Sequence, residues 1–260
     1  MSSLIFEKKG KIAILTLNRP EAMNSMDPEL QQNLADAWEE FSQDSNLWVA
    51  ILTGAGDRAF CTGADLKKTM PPKESFAQQI LGGFGDSRGV TPSLKEWKPV
   101  ICAVNGYAIG GGLELALACD IIIGSENSSY GLSEVKIGSI PGAGGTQRLP
   151  RRIPYQAAMK MLLTGLRIDA YEALKYGLIS EITPQDQLLE TAEKLALQIC
   201  ENAPLAVRAV KMAATRGMEM SLEQGLELEK LLWGTLRDTK DRIEGRVAFS
   251  EKRKPAYVGE

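Results

Sequence analysis

Histidine is missing from the whole chain. That absence removes Ser-His-Asp and Cys-His catalysis, His-ligated zinc and a histidine general base. Acid–base chemistry near neutral pH then falls to Glu, Asp, Lys, Tyr or Cys. Cysteine is scarce: Cys61, Cys102, Cys119 and Cys200 form no CxxC pair. Three of the four sit in apolar surroundings, which fits buried, reduced thiols in a cytoplasmic setting. No apolar run approaches the ~20 residues of a membrane helix. The N-terminal residues read as neither a signal nor a transit peptide, and Tyr257-Val258-Gly259-Glu260 is no peroxisomal address. No membrane partner is expected. Charge of one sign is lacking too: 30 basic against 33 acidic residues leave −3, which gives no reason to expect nucleic acid. There is no P-loop, no GxGxxG after a strand, and no carboxylate cluster spaced for a metal, so no metal site is expected.

What is present points to an α/β fold. A chain of 260 residues with 44% hydrophobic content supports one large core, alone or with a helical annex. Leu4–Lys8 and Lys11–Leu17 read as a hairpin around Lys9-Gly10. Residues 28–43 read as an amphipathic helix with Asp27 as N-cap and Pro28 in the first turn. Short β-rich runs recur at Ile12–Leu17, Val49–Thr53, Val100–Val104 and Asp120–Ile123, and the first three lead through turns into helices. Beyond Pro150 helical patterns dominate, at 155–164, 169–176, 185–201, 204–216, 221–237 and 241–252. Only Leu178–Ile182 looks like a strand there. Residues 69–95 are the least regular; the Gly82–Gly89 run argues for a helical piece plus a mobile loop, either a plain surface loop or a lid or wall of a pocket.

The stretch that organises the chain follows the strand Val100–Val104. Asn105-Gly106-Tyr107-Ala108-Ile109-Gly110-Gly111-Gly112 opens an apolar helix whose only charge before Cys119 is Glu114. The first amides of a helix lack intrahelical partners and sit at its positive end. An opening bare of side chains is therefore a site for a negatively charged oxygen. Glu114 lies three residues after Gly111, on nearly the same helix face. Burial of that carboxylate would raise its pKa toward the range useful for proton transfer. Close backbone packing with a solvent-facing Glu is the plainer alternative for the glycines. Tyr107 either lines the pocket or packs.

Four segments line up: Phe60–Lys67, Gly106–Asp120, Gly131-Leu132-Ser133-Glu134-Val135-Lys136-Ile137-Gly138, and Ile140–Leu149. Their order and spacing resemble the crotonase (enoyl-CoA hydratase/isomerase) superfamily, nearly end to end, from Leu17-Asn18-Arg19-Pro20 to Glu251–Lys254. The resemblance implies a crotonase-like spiral of repeated strand–strand–helix units with a C-terminal helical annex. We place the core at 1–195 and a helical oligomerisation region at 196–260.

The resemblance also implies roles. The amides of Ala64 and Gly111 would form an oxyanion hole for the thioester oxygen of an acyl-CoA. Glu114 and Glu134 match the two glutamates that act on one water in enoyl-CoA hydratases. Ala22 and the Ala64-Asp65-Leu66 backbone resemble segments that cradle CoA, and Lys67 and Lys252 match basic positions that meet its phosphates. Glu21 stands where many relatives carry a basic residue. The Pro141–Leu149 segment reads as structural, its glycines shaping a turn into the next helix. No cofactor is implied, since CoA is part of the substrate, and the implied assembly is a homotrimer or a dimer of trimers. The implied reaction is hydration of a 2-enoyl-CoA to a 3-hydroxyacyl-CoA. A relative working on a carnitinyl-CoA-type or alicyclic acyl group, a double-bond isomerase, and a non-catalytic RNA-associated member are the alternatives.

Overall fold

The computed structural model describes residues 2–69, 91 and 96–260. Most of the irregular 69–95 stretch, and with it the lid-or-wall expectation, lies outside the described residues.

Two sheets form the core. The larger has the order β1-β2-β3-β5-β7-β10. In it β1 (Leu4–Lys9) and β2 (Ile12–Leu17) form the expected antiparallel hairpin. Strands β3 (Val49–Gly54), β5 (Val100–Val104), β7 (Ile121–Ser125) and β10 (Glu181–Thr183) continue it in parallel. The smaller sheet has the order β4-β6-β8-β9: β4 (Ala59–Cys61), β6 (Tyr107–Ile109) and β8 (Ser129–Gly131) run parallel, and β9 (Ile168–Asp169) is antiparallel to β8.

The spiral follows from these pairings. Each unit sends a long strand to the first sheet, a short strand to the second, and then a helix or helical turn. The pairs are β3 with β4, β5 with β6, and β7 with β8. Helix α1 (Pro28–Gln43) follows β2, and the three pairs lead into α2 (Leu66–Thr69), α3 (Gly111–Leu117) and the 3-10 turn Glu134–Ile137. The periodicity reading finds the long strands and misses the short ones, because three residues carry no usable period.

The central strands are covered on both faces, as parallel sheets require. Their alternation splits the core. Ala13, Leu15, Ala50, Leu52, Val100 and Cys102 join one cluster, which also takes Leu30, Leu34, Trp38 and Phe41 of α1. Ile12, Ile14, Val49, Ile51, Ile101 and Ala103 face the other way, against Leu188, Ala192 and Ala196. Those last three lie on one helix, Leu188–Cys200, which contains the 195/196 division drawn from the sequence. Asp27 caps α1 through its side chain, accepting from the Leu30 amide at 3.0 Å, with Pro28 at the first turn.

The remaining helices are α4 (Gly145–Arg152), α5 (Tyr155–Thr164), α6 (Ala170–Tyr176), α7 (Leu188–Cys200), α8 (Pro204–Gly217), α9 (Leu222–Thr235) and α10 (Lys240–Ser250). Two expectations need correction. The Leu178–Ile182 strand is shifted: Leu178 and Ile179 are core residues of a turn, and pairing with β7 occupies Glu181–Thr183. Segment 141–149 turns into a helix as expected, but that helix, α4, already starts at Gly145, ahead of the 155–164 helix read from the sequence. Among the described residues no helix is long and apolar enough to cross a membrane.

Candidate active site

Strands β4, β6 and β8 are parallel neighbours, so their carboxyl ends share one edge of the smaller sheet. Ala64 follows β4, Gly111 follows β6 and Glu134 follows β8, each within three residues of the strand end. Neighbouring strands lie ~4.8 Å apart. Three segments remote in sequence are thereby brought to one place.

Ala64 is set by a parallel bridge to Met26. The Met26 amide donates to the Gly63 carbonyl at 2.8 Å, and the Asp65 amide donates to the Met26 carbonyl at 2.9 Å. The flanking residues thus make the bridge bonds, and the Ala64 N–H faces the opposite side. Gly111 is pressed against this segment. A Cβ on Gly111 would stand 2.8 Å from Met26 Cε and 3.9 Å from the Ala64 nitrogen. Its N–H is the first of α3 and has no intrahelical partner. Among the described residues neither amide donates a hydrogen bond. Gly110, the N-cap, adopts φ 57° and ψ −129°, a conformation open to glycine. A Cβ there would also meet Glu134 Oε1 at 3.1 Å. The plainer reading of the glycines holds for Gly112, where a Cβ would fall 2.0 Å from the Cys61 carbonyl oxygen.

Glu114 is 3% exposed. Its Oε1 accepts from the Ala143 amide at 2.7 Å and the Gly145 amide at 2.8 Å. The carboxylate therefore sits at the opening of α4, the second glycine-lined helix start in the site. This corrects the purely structural reading of Pro141–Leu149. The logic that singles out Gly110–Gly112 would have found Ala143 and Gly145 had it been applied to Gly144-Gly145. Arg148 of α4 donates to the Ala143 carbonyl at 2.8 Å and so steadies the same turn. Burial raises the Glu114 pKa above the ordinary glutamate value, against the pull of the two amides and of Arg148.

Glu134 opens a single 3-10 turn, Glu134–Ile137, and is half-buried. Burial raises its pKa, and the charge of Glu114 adds to the rise, so the two carboxylates feel each other. Its Oε2 is buried and has no hydrogen-bond partner among the described residues.

The other expected positions divide. Ala22 ends the 3-10 turn Pro20–Ala22 and is half-buried, beside exposed Glu21. The Asp65 side chain accepts from Arg19 at 3.0 Å. Leu66 and Lys67 are exposed on α2. Lys252 is exposed beyond α10, in the left-handed region at φ 55°. Neither Lys67 nor Lys252 enters an ion pair among the described residues. Tyr107 is exposed, its ring centroid lying 5.0 Å from the Arg167 guanidinium carbon.

Two aimed amides and two carboxylates with raised pKa values can hold a developing oxyanion and move a proton beside it. The family model described as enoyl-CoA hydratase/isomerase matches residues 7–260. The chain belongs to that family. Its relatives include the (E)-benzylidenesuccinyl-CoA hydratase of Thauera aromatica, 51% identical over 97% of this chain and 98% of the relative. A short-chain-enoyl-CoA hydratase of Clostridium acetobutylicum is 39% identical over 98% of this chain and 97% of its own. Among solved structures, an enoyl-CoA hydratase from Bacillus anthracis superposes with a TM-score of 0.92 at 40% identity, covering 99% of this chain and all of that one. The two-sheet spiral is thus the crotonase fold, and the chain is an enzyme of the hydro-lyase kind.

Proposed function

We propose that this family member adds water across the 2,3 double bond of a 2-enoyl-CoA thioester to give a 3-hydroxyacyl-CoA, or runs the reverse dehydration. The carrying observation is the meeting of two amides, Ala64 and Gly111, with a backbone-held Glu114 and with Glu134; among the described residues the two amides and the buried Glu134 Oε2 have no hydrogen-bond partner. Attack at Cβ pushes charge onto the thioester oxygen as an enolate forms. Two fixed N–H donors stabilise that charge more than the neutral carbonyl, which is what accelerates a reaction. Glu114, fixed through Oε1, has its second oxygen to orient and deprotonate the water. Glu134 delivers a proton to Cα. The proton that Glu114 takes from the water then passes to Glu134, replacing the one given to Cα, so one whole water is added and the balance closes without a cofactor. The pair titrates jointly, since each charge raises the other's cost.

CoA itself is assigned to the Ala22 and Ala64–Leu66 backbone, with Lys67 and Lys252 at its phosphates. The test is loss of conjugated-thioester ultraviolet absorbance with crotonyl-CoA. Glu114→Gln and Glu134→Gln should stay folded and lose at least about 100-fold in kcat, the scale of a lost proton-transfer group. Variants within a fewfold of wild type would sink the two-carboxylate reading.

A second reading concerns the acyl group. The 51% identity to a protein named for (E)-benzylidenesuccinyl-CoA favours a branched, aryl-bearing substrate over a plain chain. Comparing kcat/KM for crotonyl-CoA, 2,3-dehydroadipyl-CoA and (E)-benzylidenesuccinyl-CoA decides it. A preference of tenfold or more for crotonyl-CoA would remove this second reading.

A further inference from the structure

We infer that Arg19 is a positioning residue for the Ala64 amide, the half of the oxyanion hole that no helix start aims. This rests on the enolate reading above. Arg19 touches neither Ala64 nor any residue assigned to proton transfer. Its side chain, 11% exposed, reaches three partners. One guanidinium nitrogen donates to the Ser25 carbonyl. The other lies 3.0 Å from Asp65 Oδ2 and 3.4 Å from Asp27 Oδ2. Asp27 and Asp65 are themselves 3% and 13% exposed. Lys68 approaches Asp27 at 2.6 Å but is half in solvent.

These contacts join the two strips of backbone that form the Met26–Ala64 bridge. Ser25 and Asp27 flank Met26 on one strip, and Asp65 follows Ala64 on the other. The bridge alone has only two hydrogen bonds. The strip that carries Met26 is also held in a costly conformation, with Met23 at φ 56° and Asn24 at φ 52°. Asn24 is buried and anchored, its amide donating to the Ala55 and Ala59 carbonyls, and its Oδ1 accepting from the Arg19 amide at 2.9 Å. Without the guanidinium, the side-chain link that ties the Ser25–Asp27 strip to Asp65 would be lost. The Asp65 side chain would shift, and with it the Ala64–Asp65 peptide and the adjoining Gly63–Ala64 peptide, whose N–H is that of Ala64 and whose carbonyl accepts from Met26. Lysine cannot replace the fork, since one ammonium lacks the planar reach to three partners.

The experiment measures Arg19→Met, Arg19→Lys and Asp65→Asn alongside the wild type. Each is assayed for hydration and for the red shift of a bound 2-enoyl thioester, which reports polarisation of its carbonyl by the two amides. The expected result is a 10- to 100-fold loss of kcat for Arg19→Met and Asp65→Asn. That is below the ~100- to 1000-fold loss on deleting a donor and in the range of a small misplacement. Acyl-CoA affinity should stay within about threefold and the red shift should shrink. Arg19→Lys should recover only part of both. Once Arg19 is replaced, Asp65→Asn should cost little more. A folded Asp65→Asn with wild-type kcat and full red shift overturns the inference, and so do losses that track only the folded fraction. The hydratase reading fails separately: a wild type that polarises the bound thioester yet hydrates none leaves the Arg19 effect readable in the band. A wild type that binds no acyl-CoA overturns both.

Discussion

Glu134 shows how one side chain couples chemistry to stability. Its folded-state pKa is raised, so the protonated form is the one the fold favours. The contribution is full below the unfolded value, near ~4.3, and is lost as pH rises through the folded value. At pH 7 the ionised carboxylate is therefore a cost. Glu134→Gln should melt higher than the wild type at pH 7, and the difference should vanish at and below about pH 4. A gain that persists at low pH would point elsewhere. As proton donor to Cα, Glu134 must be protonated, so the same rise moves the alkaline limb of the kcat/KM profile above the ordinary carboxylate range, which a pH–rate series reads directly. At this scale legibility follows the side chain. Glu114 stands out in the sequence because nothing else in its helix is charged. Glu134 stands out only through its motif. The Ala143 and Gly145 amides that hold Glu114 carry no side-chain signal. Arg19 appears in the sequence only as part of Leu17-Asn18-Arg19-Pro20, and its acidic partners lie 46 and 8 residues away in the chain, so only folding assembles them.

Among the elements, α3 is the most constrained. It is short, and its residues Gly112 to Leu117 are all buried. Gly112 lies against the Cys61 carbonyl, on β4, so the helix that carries Gly111 and Glu114 packs directly on the strand that leads to Ala64. Gly112→Ala places a methyl where no flexible side chain can yield. Overpacking of this kind costs roughly 1–3 kcal/mol, more when backbone must move. The expected drop in Tm is roughly 2–12 °C, with hydratase activity falling in parallel. An unchanged Tm would mean the two elements separate easily. The long strands of the larger sheet are legible because both faces alternate into apolar clusters. The three short strands and α4 are not. Their pairing comes from tertiary contacts that local pattern does not encode.

At the scale of the whole molecule the annex is unbalanced. Helix α9 buries none of its residues, yet Leu222, Leu226, Leu231 and Trp233 stand exposed on it, and Phe249 on α10 is 87% exposed. Apolar surface so concentrated marks an association face, in keeping with the trimer or dimer of trimers proposed from the resemblance. Light scattering should give three or six times the 28.3 kDa chain mass. Leu226→Asp with Trp233→Asp should lower that mass, whereas a wild type of chain mass would remove the proposal.

The smaller sheet has a consequence of another kind. Its three parallel strands lead in turn to the proposed donor Ala64, to the proposed donor Gly111 with Glu114, and to Glu134. The proposed site is written as a column, coil by coil. A change confined to the third coil would rewrite the proton chemistry and leave the enolate-holding letters unaltered. A scaffold of this build can exchange reactions without relearning how to grip a thioester.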